Sequence, residues 1–231
     1  MIPLKDDIVS SSFPFINTLL IAINALAFLY ELSLGPGQNL FMVQYAAVPE
    51  KVVSSGALGW MSIMASMFLH AGWAHFLGNM LYLYIFGDNV EDALGHFKYL
   101  AFYLLCGFGA AWAHILTDPG SAVPMVGASG AIAGVLGAYF LLYPKARVLT
   151  LVFLGFFVRI IKIPALVVLG FWIILQLVLG LGSLPLRGQG GGVAWFAHIG
   201  GFACGMVLIF AMGGWRKRQN YVAKPGAFWD N

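Results

Sequence analysis

Four side chains of the types that catalyse acyl transfer fall at matching positions in three apolar segments. Ser129 and His198 are each the fourth residue of a segment, and His75 and Asn79 stand four residues apart near the start of another. At about 1.5 Å per residue, all four groups lie within about one helical turn of a common depth. A serine hydroxyl attacks when a neighbouring base takes its proton, and a neutral imidazole is the usual base near neutral pH. The pattern predicts Ser129 as nucleophile and His198 as general base.

The negative oxygen that forms on an attacked carbonyl needs preorganised hydrogen-bond donors. The backbone N–H of Ser129 at a helix N-terminus, the Asn79 amide and an N–H of His75 could supply them. No acidic residue lies at this depth in the three segments. The sequence therefore predicts a Ser-His dyad, and a triad stays open only if Glu31, at the end of the first apolar segment, folds inward.

The remaining histidines do not predict a metal centre. His70 and His75 stand i, i+5, which does not stack two ligands on one helix face, and the chain has no HExxH motif. We therefore expect neither a metal nor a cofactor. His96 and His114 have no identifiable partner and are interpreted as structural or interfacial. The small residues at 127–130 would, taken alone, favour a helix-packing contact, so it is the common depth on three helices that favours function.

Composition identifies the class of protein that must hold these groups. Of the 231 residues, 61% are hydrophobic and 9% are charged, against about 25% charged in an average soluble domain. This excludes an ordinary soluble globule, and the 29 glycines favour closely packed membrane helices. The net charge of +3 is small and scattered, so nucleic acid is not an expected partner. Cys106 and Cys204 lie in apolar runs, which excludes a disulfide framework.

Six segments are long and apolar enough to cross a hydrocarbon core of about 30 Å. They cover residues 14–32, 73–94, 97–116, 126–143, 165–181 and 195–215. Two shorter stretches, 58–69 and 148–161, are expected to be re-entrant or interfacial elements. The N-terminus lacks the features of a removable signal peptide, so the first segment is expected to remain.

The basic residues predict how these spans are oriented. Ten of the 12 Lys and Arg residues fall on one side of the proposed topology, and Lys51 and Arg187 fall on the other. Because cytoplasmic loops collect positive charge, both termini are predicted to be cytoplasmic. The second, fourth and sixth spans then all run from outside to inside, which puts the four catalytic-type groups near the outer face.

Glycine spacing predicts which spans meet. Gly130 and Gly134 form one GxxxG pair beside the serine, and Gly201 and Gly205 form another on the face of the histidine. Small faces let two helix backbones approach closely. The fourth and sixth spans are therefore predicted to be neighbours, with Ser129 in hydrogen-bond range of His198.

The motifs around these residues resemble those of the rhomboid family of intramembrane serine proteases. The matching stretches are HAGWAHFLGNM at 70–80, the acidic turn GDNVE at 87–91 followed by Gly95, GASG at 127–130, and AHIGG at 197–201 followed by Gly205. They occur in the family's order and cover about residues 55–215. Several matched motifs in one order are far more specific than any one of them.

The resemblance implies an all-α integral membrane fold, a six-transmembrane-helix rhomboid-like bundle that forms a single domain over residues 1–231. It implies Ser129 as nucleophile, His198 as base, and His75 and Asn79 as groups that stabilise the oxyanion. It also suggests a prokaryotic cytoplasmic membrane. Two positions depart from the family pattern. The usual Trp-Arg pair of the first loop is Trp60-Met61, and the aromatic residue that stacks on the histidine is replaced by Ala133, so another group must orient His198.

The predicted function is an intramembrane serine endopeptidase that cuts transmembrane protein substrates in the lipid bilayer. One alternative is a catalytically inactive relative that binds membrane proteins, against which the intact Ser129 and His198 argue. A second is a small transporter, whose paired intramembrane charges or matching broken helices are not evident. Neither the physiological substrate nor the oligomeric state follows from the sequence.

Overall fold

The computed structural model describes residues 1–155, 157–184 and 193–217. Numbered in chain order, the helices are α1 (Phe15–Ser33), α2 (Gln38–Tyr45), α3 (Pro49–Ser54), α4 (Ala57–Ser66), α5 (Trp73–Leu94), α6 (His96–Ile115), α7 (Ser129–Leu142), α8 (Ala165–Ser183) and α9 (Trp195–Ala211). The strands are β1 (Ile2–Asp6), β2 (Arg147–Leu154) and β3 (Phe157–Pro164). Arg187 of the charge argument and the predicted cytoplasmic C-terminal tail after residue 217 lie outside the described residues.

A helix forms in each of the six segments predicted to cross the membrane. They are α1, α5, α6, α7, α8 and α9. Within the described ranges, α1 and α8 are long and apolar enough to pass as spans on length and composition alone, and α7 and α9 are apolar but shorter. The predicted start of the fourth segment at 126 is wrong by three residues, because Gly127 has a φ of 122° and the helix begins at Ser129.

A three-stranded antiparallel sheet covers the end of the helices opposite to Ser129. β2 pairs with both β1 and β3. The all-α prediction omitted this sheet, and the interpretation of 148–161 as a re-entrant or interfacial element did not identify a hairpin. The hairpin formed by β2 and β3 has a local physical cause. Both of these strands are rich in β-branched residues, and Gly155 at a φ of 62° lets the chain reverse between them.

The centre of the molecule is α7, with ten of its fourteen residues buried between α5, α6 and α9. Its contact with α9 is made by backbone. A Cβ atom on Gly201 would overlap the carbonyl oxygen of Gly130, and one on Gly205 would overlap that of Gly134. The predicted neighbour relation of these two helices is thus confirmed, and glycine is required on this face because any side chain would push the helices apart.

At the end nearest the sheet, α5 supplies a carboxylate that caps another helix. Glu91 accepts hydrogen bonds from the backbone N–H groups of Ile16 (2.9 Å) and Asn17 (2.7 Å) in the first turn of α1. These donors have no partner within their own helix, and the negative charge is stabilised by the helix dipole. The acidic turn seen in the sequence therefore fixes the start of α1 against the end of α5.

The strand β1 is hydrogen-bonded to the C-terminal end of α7, which is the end nearest the sheet. The Asp6 carboxylate accepts hydrogen bonds from the Tyr139 hydroxyl (2.5 Å) and from the Asn89 side-chain amide (2.9 Å). Burial raises the pKa of Asp6 from its ordinary value to about 7, because the charged form loses its hydration. Asp7 accepts a hydrogen bond from the backbone N–H of Arg147 at 2.8 Å, which joins β1 to the start of β2.

The stretch 58–69 overlaps α4, whose ten residues are too few to span a bilayer. Trp60 packs its ring against Phe108 and Trp112 of α6, with centroids 5.6 Å apart in both pairs. The Ser66 carbonyl oxygen accepts a hydrogen bond from the backbone N–H of Gly127 at 2.8 Å. α4 thus holds the turn that leads into α7. In place of the arginine of the Trp-Arg pair, aromatic contacts of Trp60 join α4 to α6.

Candidate active site

Ser129 and His198 meet at the end of the α7–α9 contact. Ser129 is the first residue of α7, and His198 is the fourth residue of α9. The Ser129 Oγ lies 2.8 Å from the His198 Nε2, which is hydrogen-bond distance. Two helices held together by backbone contact leave these side chains little freedom to separate. The distance suits proton transfer from the hydroxyl to the imidazole.

His75 and Asn79 face the same place from α5. An added Cβ on Gly127 would lie 2.6 Å from the His75 Nε2 and 3.6 Å from the Asn79 Nδ2, so both nitrogens border the backbone just before Ser129. Asn79 is buried, and among the described residues nothing accepts a hydrogen bond from its Nδ2. The His75 Nδ1 lies 3.5 Å from the Ala71 backbone N–H, which favours a proton on Nε2. Two potential donors therefore lie beside the backbone that precedes Ser129.

A cavity of about 1310 Å³ contains all four of the residues singled out in the sequence. His75 and Asn79 line it from α5, Ser129 from α7 and His198 from α9, and Trp172 of α8 is also part of the lining. Polar groups gathered in a largely apolar cavity are what a binding or catalytic site requires. The space is large enough for an extended peptide segment together with water.

The second ring nitrogen of His198 has a partner that the sequence reasoning missed. The His198 Nδ1 lies 2.8 Å from the Oε1 of Gln176, a residue of α8 that is 5% exposed. Within α8, Gln176 is the polar side chain in a run of apolar residues from Ala165 to Gly182. That isolation was a usable signal, because a strongly polar side chain in a membrane segment is by default a functional candidate.

Two tryptophans surround the His198 ring. The Trp172 ring lies 5.8 Å from it at 38°, and the Trp195 ring lies 6.2 Å from it at 84°. Ala133, at the position where the family pattern has an aromatic residue, is fully buried. The rings that pack on His198 therefore come from α8 and α9 and not from α7.

Glu31 folds inward, but it does not complete a triad. Its buried carboxylate accepts hydrogen bonds from the backbone N–H of His70 at 3.2 and 3.3 Å. It thus fixes the turn before α5, and the Nδ1 of His198 is occupied by Gln176. The open alternative of a Ser-His-Glu triad through Glu31 is therefore not the arrangement found.

The other histidines lie apart from the serine. The His70 ring packs on Phe28 and on His75, with centroids 6.1 and 5.3 Å apart. His96 pairs its Nδ1 with Glu91 at the sheet end of the helices, and His114 is on α6 outside the cavity lining. In the part of the chain that the structure describes, no group of three His, Cys, Asp or Glu side chains is arranged to hold a metal ion.

Comparison with known proteins agrees with the motifs. The sequence profile of the Rhomboid domain matches residues 57–215. The chain is 34% identical over 201 residues to "RHOMBOID-like protein 4" of Arabidopsis thaliana, an alignment that covers 84% of this chain and 46% of that protein. It is 31% identical over 216 residues to "Rhomboid protease GluP" of Bacillus subtilis, covering 93% of this chain and 36% of that protein.

A third relative has an organelle in its name. The chain is 33% identical over 192 residues to "RHOMBOID-like protein 6, mitochondrial" of Arabidopsis thaliana, covering 81% of this chain and 56% of that protein. The chain spans about half the length, or less, of these curated relatives. The residues that match the Rhomboid domain, 57–215, include His75, Asn79, Ser129 and His198.

Proposed function

The chain belongs to the rhomboid family of helical membrane proteins, and from this premise we propose that it is a serine endopeptidase that cuts other membrane proteins within or beside a transmembrane helix. The observation that carries the proposal is the 2.8 Å contact between the Ser129 Oγ and the His198 Nε2 inside a cavity. The name of the bacterial relative, a rhomboid protease, supports the same activity.

In the proposed reaction, Ser129 attacks the carbonyl carbon of the scissile peptide bond. The His198 Nε2 takes the hydroxyl proton as the new C–O bond forms, and it returns that proton to the amine as the C–N bond breaks. A water molecule in the cavity then attacks the acyl intermediate, with His198 again as base. The cavity supplies the route by which this water reaches a site below the membrane surface.

Three donors are proposed to stabilise the tetrahedral oxyanion. The backbone N–H of Ser129 is free of an intrahelical partner because it opens α7. The Asn79 Nδ2 and the His75 Nε2 both border Gly127, next to the attacking oxygen. Because these groups are held in a site of low polarity, their stabilisation of a developing negative charge is stronger than it would be in water.

We propose a single domain of six membrane-spanning helices, formed by α1 and α5 to α9, with its core at about residues 55–215. α7 has fourteen residues and so rises only about 21 Å, less than the hydrocarbon thickness, which would place Ser129 below the outer surface. Both termini are proposed to lie on the cytoplasmic side of a prokaryotic inner membrane, because basic residues concentrate at that end. The proposed partners are transmembrane substrate proteins and the bilayer.

The test is cleavage of a single-span substrate by the purified protein in proteoliposomes. Ser129→Ala and His198→Ala are each expected to lower cleavage by at least about 1,000-fold. Ser62→Ala is the matched control, because the Ser62 hydroxyl donates a hydrogen bond to the Gly59 carbonyl oxygen of its own helix and Ser62 is not among the residues that line the cavity. It should cut like the wild type.

Labelling of the serine with a fluorophosphonate separates the possible failures. Labelling of the wild type but not of Ser129→Ala supports an activated serine even where a chosen substrate is not cut. A wild-type protein that neither labels nor cuts several substrates would overturn the protease proposal in favour of a membrane-protein binder.

A further inference from the structure

A histidine base works only if its two ring nitrogens are in the right states. For His198 to take a proton from Ser129, the Nε2 must carry a lone pair, so the proton of the neutral ring must be on Nδ1. In a Ser-His-Asp triad, the carboxylate enforces this tautomer. Here the group at Nδ1 is an uncharged amide, so the question is which end of that amide faces the ring.

The contacts of Gln176 decide which end it is. The Gln176 Nε2 lies 3.4 Å from the backbone carbonyl oxygen of Trp172, one turn earlier on α8. A carbonyl oxygen can only accept, so the amide must present its NH₂ group to it. The reversed amide would place two acceptors face to face. The Oε1 therefore faces the His198 Nδ1 at 2.8 Å.

An amide oxygen can only accept a hydrogen bond, so it selects the ring tautomer with a proton on Nδ1. We propose that Gln176 is the positioning residue for His198, because its amide oxygen, oriented by the Trp172 carbonyl, holds the imidazole in the tautomer that leaves Nε2 free to accept the Ser129 proton. This proposal rests on the proposed function in that His198 is taken to be the base. Gln176 does not touch the reacting atoms.

The location of Gln176 makes the base depend on α8. Five of the nineteen residues of α8 are buried, and these are Ala165, Val168, Leu169, Gln176 and Gly180. Gln176 and Gly180 are one turn apart, and Gly180 lies against Trp195 and Ile199 of α9. The tautomer of the base is thus set by a helix that packs on the rest of the molecule along one narrow stripe.

The test compares Gln176→Met and Gln176→Glu with the wild type in proteoliposomes. Methionine keeps the length and apolar stem but cannot accept this hydrogen bond, so kcat should fall by about 10- to 100-fold while KM stays within about threefold. Glutamate keeps an acceptor for the His198 Nδ1 but places a second acceptor against the Trp172 carbonyl oxygen, so its kcat should lie between those of Gln176→Met and the wild type. Leu175→Met, on the exposed side of α8, is the matched control and should behave as the wild type. A Gln176→Met protein with unchanged kcat would overturn the proposal.

Nitrogen-15 NMR of histidine-labelled protein reads the tautomer without any substrate. The His198 signals, assigned by their loss in His198→Ala, should show the proton on Nδ1 in the wild type and in Ser129→Ala. In Gln176→Met this preference should be lost, whereas a merely structural role would leave it unchanged. An unchanged tautomer would overturn the proposal.

The NMR result also separates the two proposals. If the wild type fails to cut or label while Gln176→Met still alters the tautomer, the protease proposal fails and the positioning role of Gln176 stands. If cleavage depends on Ser129 and His198 but neither kcat nor the tautomer responds to Gln176→Met, the protease proposal stands and the positioning role of Gln176 fails.

Discussion

The helices α7 and α8 carry parts of one site but are held in opposite ways. Ten of fourteen residues of α7 are buried, against five of nineteen in α8. α7 meets α9 through glycines whose faces touch backbone carbonyl oxygens, whereas α8 meets α9 largely through side chains such as Gln176 and Trp172.

The difference separates two requirements of a nucleophile and its base. The distance from Ser129 to His198 depends on backbones in contact, which cannot relax without moving whole helices. The tautomer and the orientation of the His198 ring depend on side chains from a helix that is mostly exposed. Changes at α7–α9 should therefore affect stability and activity together, and changes on α8 should affect activity alone.

Among the changes in helix packing, the largest effect is expected from one methyl group placed between α7 and α9. A Cβ in Gly205→Ala would overlap the backbone of Gly134, so the two helices must separate. Overpacking of this kind costs about 1–3 kcal/mol of stability, and a displacement of about 1 Å at the site costs about 100-fold in rate. Thermal unfolding in detergent and cleavage in proteoliposomes measure the two losses.

The same substitution on α8 is its matched control. Among the described residues, an added Cβ on Gly182 meets no atom within 4 Å, so Gly182→Ala should not lower stability and should leave cleavage intact. Equal losses in the two variants would contradict the contrast between the helices.

A second effect concerns the pH dependence of stability at the other end of α7, where the Asp6 carboxylate accepts a hydrogen bond from the Tyr139 hydroxyl. Because burial raises the Asp6 pKa from 3.8 to about 7, the folded protein holds a proton that the unfolded chain has released over this range. This contribution to stability is complete below about pH 4, falls as the pH rises toward 7 and is absent above it. The expected slope is at most about 1.4 kcal/mol per pH unit.

Thermal unfolding of the wild type and Asp6→Asn across this pH range checks the slope. Asparagine cannot ionise, so the difference between the two proteins should vary with pH as described. Asp7→Asn is the comparison variant: the Asp7 carboxylate accepts a hydrogen bond from the Arg147 backbone N–H, and its charge adds to the rise in the Asp6 pKa. This variant should keep a pH-dependent slope, but over a narrower pH range than the wild type. If Asp6→Asn follows the wild type in parallel, the Asp6 proton is not linked to folding.

A smaller effect is expected at Trp172, whose ring packs on His198 from α8. Aromatic contacts contribute about 0.5–1.5 kcal/mol beyond their buried area, so Trp172→Ala should lower kcat by up to about tenfold, and Trp172→Phe by less. Phe171→Ala, on a side chain that is 50% exposed, is the control and should leave kcat unchanged. A loss of stability in Trp172→Ala as large as that in Gly205→Ala would contradict the expectation that changes on α8 affect activity alone.

The site could be predicted to the extent that it follows from helical spacing. Ser129, His198, His75 and Asn79 were placed at one depth because a helix advances by a fixed rise, and the glycine pairs identified the neighbouring helices. All four line one cavity in the structure.

Gln176 and the sheet were not predicted, for different reasons. A single glutamine in an apolar helix has no spacing relation to His198, and only the packing of α8 on α9 brings the two within 2.8 Å. The strands β2 and β3 lie in a short apolar run, in which strand and helix cannot be told apart by periodicity. Pairing with β1, from the far end of the chain, completes the sheet.

The sequence by itself determined the class of the protein and the residues of its candidate site, because hydrophobic length, glycine spacing and polar residues in apolar segments are local properties. It did not determine what holds the base. That was decided by tertiary structure, because a hydrogen bond depends on the relative placement of two helices to within a fraction of an ångström. The alternatives at His198 were an acid from the first segment or an unidentified group, and the packing of α8 selected an amide.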